Sequence, residues 1–284
     1  MGPLALKPKT GGSMNSKGTI LVIGSSADSI ALKDGEKEHA GYYLNEMVVP
    51  TQTFLKAGYE MVLATPNGKR PVMDPQSAVS AYFDDSEEAL REALEFAETY
   101  PAMQNPLSMR SAIDQGLDRY VAVYVPGGHP PMIDLMQDPD LGQILRHFHA
   151  ARKLTVLLCH GPIAITAALP TAKEFRAALA RGDEEEAREL AQGWQYAGYR
   201  MTVFSNDEEH WVEDTYMGGR KVPFYVSDAL RIAGGMVEQS DQGIFKSHVV
   251  QDRELITGQN PPSDQALAAL FLQALERATS ARAA

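Results

Sequence analysis

The stretch Lys153–Ala164, KLTVLLCHGPIA, decides the fold. Leu154–Leu158 is short and apolar apart from Thr155, with charge before it and a glycine-proline pair after it. This is the pattern of a strand buried on both faces of a parallel sheet. Gly161 permits a tight turn, and Pro162 suits the first position of a following helix, where the missing N–H costs nothing. The only cysteine of the chain, Cys159, is therefore predicted on a strand-turn-helix corner. A cysteine reacts as thiolate, and a helix N-terminus favours that anion, so the corner is expected to lower the thiol pKa. With His160 next to it as a base, Cys159 has the parts of an activated nucleophile.

Working outward, other apolar runs end in similar turns. Gly18–Ser25, Tyr59–Ala64 and Tyr120–Val125 read as buried strands, and Tyr42–Ala57 has helical apolar spacing interrupted at Pro50. Ala27–Gly41 and Pro66–Tyr82 read as irregular. Ser86–Thr99 reads as an acidic surface helix, and Asp140–Ala151 as a helix leading back to the Cys159 strand. Strands alternating with helices in this way predict an α/β fold with a doubly wound, mostly parallel sheet and helices on both faces. Beyond the cysteine, Thr171–Gln192 reads as a solvated helical pair split at Gly182-Asp183, within an insertion spanning 168–198. Tyr199–Phe204 reads as a further strand and Lys221–Gly234 as a helix. Lys246–Val250 with Glu254–Thr257 reads as a strand pair, and Asp264–Ala278 as the closing helix. Residues 14–284 are thus expected to form a single α/β domain. The first thirteen, MGPLALKPKTGGS, are expected to be a disordered tail or an expression remnant.

Composition narrows the function. The 284 residues carry 44% hydrophobic and 22% charged side chains, as an ordinary globular protein does, with a formal net charge of -11. That charge argues against nucleic acid as a partner, because a polyanion would be repelled by most of the surface. No run approaches the roughly eighteen apolar residues of a membrane span, so no membrane partner is expected. A lone cysteine excludes an internal disulfide and fits a cytoplasmic setting.

In open α/β sheets, sites form beyond the carboxyl ends of the strands. Two such ends stand out: Pro126-Gly127-Gly128-His129 and the Cys159 corner. The glycine pair lets backbone N–H groups approach an oxyanion, so Gly127, Gly128 and His129 are the candidate substrate-binding residues. At these residues the chain resembles the DJ-1/PfpI superfamily, and within it the Hsp31-like branch of glutathione-independent glyoxalases (glyoxalase III) and holding chaperones. The resemblance runs from Thr19 through Asn45-Glu46, Val125-Pro-Gly-Gly-His129 and Leu158-Cys-His-Gly-Pro162 to Leu255-Ile-Thr-Gly-Gln-Asn-Pro261.

The resemblance implies a flavodoxin-like sheet, Cys159 as nucleophile, His160 as its partner and Glu46 as the carboxyl group beside the sulfur. It also implies an acidic residue orienting the histidine, for which position favours Glu209 over Asp207 or Glu208. Two ionised groups in one buried pocket would repel, so Glu46 is expected to keep its proton. The implied reaction takes small 2-oxoaldehydes, methylglyoxal foremost, to 2-hydroxy acids without a cofactor, and the implied assembly is a homodimer. Repair of glycated proteins and holding of misfolded ones come with the same resemblance.

Larger bacterial chaperone-like members carry a metal-binding histidine further along the glutamate helix. Phe54 and Leu55 occupy that region here, so no metal is expected. The remaining histidines, 39, 147, 149, 210 and 248, show no spacing typical of metal ligands. The same cysteine chemistry also suits a PfpI-like peptidase, an amidase or an isocyanide hydratase. A third reading, of another class, is a non-catalytic oxidation sensor or holdase.

Overall fold

The structure, a computed structural model, describes residues 16–283; the expected N-terminal tail lies outside the described residues. The chain opens with β1 (Thr19–Ile23), followed by a hairpin of β2 (Ser29–Ala31) and β3 (Lys37–His39), α1 (Leu44–Lys56) and β4 (Glu60–Thr65). Helices α2 (Glu87–Thr99) and α3 (Pro101–Gln104) lead to β5 (Leu107–Ser108) and α4 (Met109–Asp114). Next come β6 (Tyr120–Val125), α5 (Pro139–Ala150) and β7 (Leu154–Leu158), which ends at the cysteine. The remainder comprises α6 (Ala172–Arg181), α7 (Glu184–Leu190), β8 (Arg200–Met201), α8 (Asn206–Tyr216), α9 (Val226–Ile232) and β9 (Met236–Val237). The antiparallel pair β10 (Val249–Asp252) and β11 (Leu255–Gly258) and the closing helix α10 (Asp264–Ala283) complete it.

Seven strands form one sheet in the order β10-β11-β7-β6-β1-β4-β5, all parallel except β10. The three apolar runs TILVI, YVAVYV and LTVLL lie side by side at its centre, with β7 buried along its whole length. The crossover from β1 through α1 moves one way along the sheet, and that from β6 through α5 moves the other. Right-handed connections then put α1 and α5 on opposite faces. α10 packs against α1, where Phe54 meets both Tyr124 and Phe271 edge to face. The reversal of direction between β1 and β6 leaves a crevice at their carboxyl ends, where sheets of this kind bind ligands.

Several elements differ from the sequence expectation. Residues 27–41, read as loop, contain the β2–β3 hairpin. The strand expected over Tyr199–Phe204 is reduced to Arg200–Met201. From Thr202 the backbone turns to bond the Thr257 hydroxyl, and the Phe204 N–H donates to the Cys159 carbonyl at 2.9 Å. The helix expected from Lys221 begins only at Val226, because the Val222 N–H and the Tyr225 hydroxyl are drawn to the buried Glu213 carboxylate. The edge strand β5 and its flanking short helices had no clear sequence signature. No helix among the described residues is long and apolar enough to cross a membrane.

Candidate active site

The corner after β7 is tighter than the sequence suggests. Cys159 has φ +60°, a left-handed conformation that a non-glycine residue adopts at a cost, and such strain recurs where a side chain must be aimed. Its N–H is held by the Gly258 carbonyl of β11 at 2.9 Å and its carbonyl by the Phe204 N–H of the segment between β8 and α8, so two separate parts of the chain brace the turn. The segment that follows, Gly161–Ala168, is a 3-10 helix instead of an α-helix. The thiol is nearly buried at 3% exposure. Burial and the adjacent Glu46 carboxylate push its pKa well up, opposed by the Gly128 N–H, which faces the sulfur. That reverses the lowered value expected from the corner alone: desolvation outweighs the dipole of a short 3-10 turn. The thiolate therefore depends on a proton acceptor at hand and on a neutral Glu46.

The acceptor is adjacent. His160 Nδ1 lies 3.4 Å from Cys159 Sγ, and His160 Nε2 donates to Glu209 Oε2 at 2.6 Å. Glu209 sits on the first turn of α8, whose start is fixed by a capping box between Ser205 and Glu208. This phase leaves Asp207 exposed, turns Glu208 towards Gln259 and Asn260, and places Glu209 at the imidazole. The other oxygen of Glu209 accepts from His129 Nε2 at 2.8 Å. Burial alone would raise the Glu209 pKa, but the two imidazoles overcome it and hold the carboxyl well below the usual range. Burial pulls the pKa of both imidazoles down; it prevails at His160, while at His129 the carboxylates of Glu209, Asp74 and Glu213 together outweigh it and raise the pKa.

Glu46 stands on the opposite side of the sulfur, in the first turn of α1 and with no exposed surface. Its Oε2 accepts from the Gly127 N–H at 2.9 Å, and burial pushes its pKa up to about 8. The carboxyl is thus protonated at neutral pH and can donate towards the thiol, while its Oε1 has no protein hydrogen-bond donor. A proline four residues on explains how its backbone is fixed. Pro50 lacks the N–H that would bond the Glu46 carbonyl, and the Tyr124 hydroxyl donates to that carbonyl instead. Asn45, next in the chain, donates to Asp264 Oδ2 and to the Pro261 carbonyl, joining the start of α1 to the Asn260-Pro261 turn.

Gly127 and Gly128 are required by space. A Cβ on Gly127 would lie 2.5 Å from both Cys159 Cβ and Glu46 Oε2, and one on Gly128 (φ +82°) would lie 2.0 Å from the Gly41 carbonyl oxygen. The structure also divides their roles as donors. The Gly127 N–H is committed to Glu46 and the Cys159 N–H to Gly258, so neither is open to an oxyanion; the Gly128 N–H, directed at the sulfur, is the donor that faces the reacting centre.

Tyr43, Tyr82, Gly128, His129, Phe204 and Trp211 are among the residues walling a cavity of about 20 Å³ over Cys159 and His160. That is room for about one water-sized group. Among the described residues, no Lys or Arg lines it. A far larger cleft of about 340 Å³ between Lys17, Arg253 and Arg277 lies at the amino ends of β7 and β11, away from the cysteine.

His129, His160 and Glu209 bring their ring nitrogens and carboxylate oxygens within 4.8 Å of one another, a spacing that would suit a cation. Each Nε2 is already engaged with Glu209, so the group reads as a hydrogen-bonded relay. Sequence reasoning missed the His129–Glu209 bond, which joins residues 80 positions apart, and the Tyr124 contact. The second carried a signal: a proline four residues after a glutamate in a helix leaves that glutamate's carbonyl seeking a donor.

A strand ending in a cysteine elbow, a histidine beside it and a buried glutamate across the sulfur mark a class of α/β protein. Residues 38–207 match the family described as ThiJ/PfpI family-like, and the chain belongs to that family. The protein/nucleic acid deglycase HchA of Pseudomonas aeruginosa (strain UCBPP-PA14) is 27% identical over 261 residues, covering 90% of this chain and 80% of the relative. HchA of Staphylococcus aureus (strain Newman) is 26% identical over 262 residues, 89% of this chain and 78% of that one. Among solved structures, glyoxalase III from Candida albicans superposes with a TM-score of 0.67 at 22% identity, covering 91% of this chain and 97% of that chain. Rapid Encystment Protein 24 kDa of Francisella tularensis gives 0.68 at 22% identity, covering 91% and 99%. At that identity the two structures speak for the fold, which is the flavodoxin-like sheet expected from the sequence.

Proposed function

We propose that the protein is a glutathione-independent glyoxalase that converts small 2-oxoaldehydes such as methylglyoxal to 2-hydroxy acids. The observation that carries this reading is the strained Cys159, held 3.4 Å from His160 Nδ1 in a closed pocket beside a protonated Glu46. His160 takes the thiol proton, and the sulfur adds to the aldehyde carbon to form a hemithioacetal. The Gly128 N–H supports the oxygen that becomes negative. Removal of the proton from C1 and its return to C2, through an enediol, oxidises C1 and reduces C2. The product is a thioester, and water cleaves it to the hydroxy acid and regenerates the thiol. The exchange is internal, so no external oxidant or reductant enters, and His160 and Glu46 are the groups placed to carry the protons.

The relatives' name raises a second reading, removal of aldehyde adducts from larger molecules. A cavity of one water-sized group must widen for either substrate, and the free aldehyde, being the smaller, requires less of that change. The deciding measurement is lactate formation from methylglyoxal without glutathione, by the wild type and by Cys159→Ser. The variant is expected to lose at least about a thousandfold in turnover, as removal of a nucleophile does elsewhere. A wild type with reduced thiol and no turnover would overturn the reading in favour of acyl-transfer or sensor chemistry.

A further inference from the structure

Glu209 is shared. Its two oxygens accept from two buried imidazoles, His160 at 2.6 Å and His129 at 2.8 Å, with side-chain exposures of only 3% and 7% for the histidines. The ring centroids lie 4.4 Å apart. An ionised carboxylate can only accept, so each Nε2 must carry a hydrogen. His160 then presents Nδ1 to the thiol as an acceptor if it is neutral, and as a donor useless for deprotonation if it is charged. One carboxylate stabilises a positive charge on one imidazole well, but two adjacent imidazoliums repel. The arrangement therefore has room for a single positive charge, and the question is which ring holds it.

We propose that His129 is a positioning residue that takes that charge and, through Glu209, keeps His160 neutral, with its Nδ1 open to Cys159. The surroundings favour this division. His129 is faced by Glu209, by Asp74 from the loop after β4 and by Glu213 from α8. His160 is faced by Glu209, Glu208 and the thiol, and by His129 itself, whose charge disfavours a second one. Gly128, at φ +82°, redirects the chain so that His129 reaches across to α8, and the following Pro130–Met132 turn starts from it. The inference deepens the proposed function, because it rests on Cys159 and His160 being the reacting pair.

The test uses no substrate, so its outcome does not depend on whether the glyoxalase reaction is the right one. Ring-carbon NMR of the wild type should show His129 gaining its proton at a higher pH than His160. The reverse order would overturn the proposal. In His129→Gln, whose amide can still donate to Glu209, the His160 titration should move up by about one pH unit. The onset of Cys159 alkylation by iodoacetamide should rise with it. A role confined to packing would change stability or the overall rate and leave both pH midpoints in place, and unchanged midpoints would equally overturn the proposal. Should His129→Gln fail to fold, the order of titration in the wild type decides alone.

Discussion

Glu46 and Glu209 flank the same cysteine–histidine pair, and both are inside the protein, at 0% and 2% exposure. Their protonation states are nevertheless opposite. Glu46 receives one backbone N–H and no cation, so burial pushes its pKa up to about 8. Glu209 lies between two imidazoles that more than offset the same desolvation and hold it ionised. Burial is common to both, and the partner decides the charge. A site that needs one carboxylic acid and one carboxylate obtains both from glutamate by surrounding them differently.

The largest expected effect comes from removing the charge on the ionised side. Glu209→Gln keeps the shape but turns a double acceptor into a group that can also donate, so one imidazole loses its orientation. Turnover is expected to fall about ten-thousandfold, measured as lactate formed at saturating methylglyoxal, by analogy with amide replacement of an orienting carboxylate. Stability carries an independent sign. A carboxyl whose folded pKa is depressed contributes stability that is present above its unfolded value and lost as pH falls through the folded one. The wild-type melting temperature should therefore drop more steeply than that of the variant below about pH 4.5. Parallel acid limbs would show that Glu209 is not the ionised partner.

The protonated side gives the opposite dependence. The folded pKa of Glu46 is raised from 4.5 to about 8, so its contribution is fully present below about pH 4.5 and is lost as pH rises towards 8. Glu46→Gln removes that loss. Relative to the wild type, the variant should gain stability between pH 4.5 and 7. Those roughly 2.5 pH units, at about 1.4 kcal/mol each, amount to something on the order of 3 kcal/mol. Denaturant unfolding at the two pH values checks this. Wild-type and variant curves that differ by the same amount at both would mean that Glu46 is ionised and that the comparison with Glu209 fails.

How much of this was legible differs by element. β1, β6 and β7 announce themselves because a strand covered on both faces must be apolar throughout, and the cysteine corner follows from the glycine and proline that end β7. Glu46 is indistinguishable by itself from a glutamate favoured at any helix start, and only resemblance singled it out. The preference for Glu209 over Asp207 and Glu208 rested on position in a motif. The structure shows what sets it, a helix phase fixed by Ser205 and by long-range bonds from Gln259 and Asn260. The His129–Glu209 bond and the short β8 depend on tertiary neighbours and have no local signature.

Glu208 supplies a third term in the comparison, adjacent to Glu209 and as deeply buried. No cationic side chain among the described residues pairs with it. Five donors satisfy its two oxygens: the Ser205 N–H and hydroxyl, the Gln259 and Asn260 amides, and the Phe245 N–H. The last matters because Phe245 adopts φ +55°, a strained conformation for a bulky residue, and its ring is part of the wall above Cys159. Glu208→Gln would set an amide against the amides of Gln259 and Asn260, leaving at least one buried donor unpaired. A loss of about 1–3 kcal/mol follows. It should appear as a lower melting temperature at every pH between 5 and 8, and the pH midpoint of Cys159 alkylation should fall, because Glu208 faces both the thiol and His160 and raises the pKa of each. An unchanged midpoint would show that the five donors screen Glu208 from the thiol and that it only braces the wall, leaving Glu46 and Glu209 to set the charge of the site.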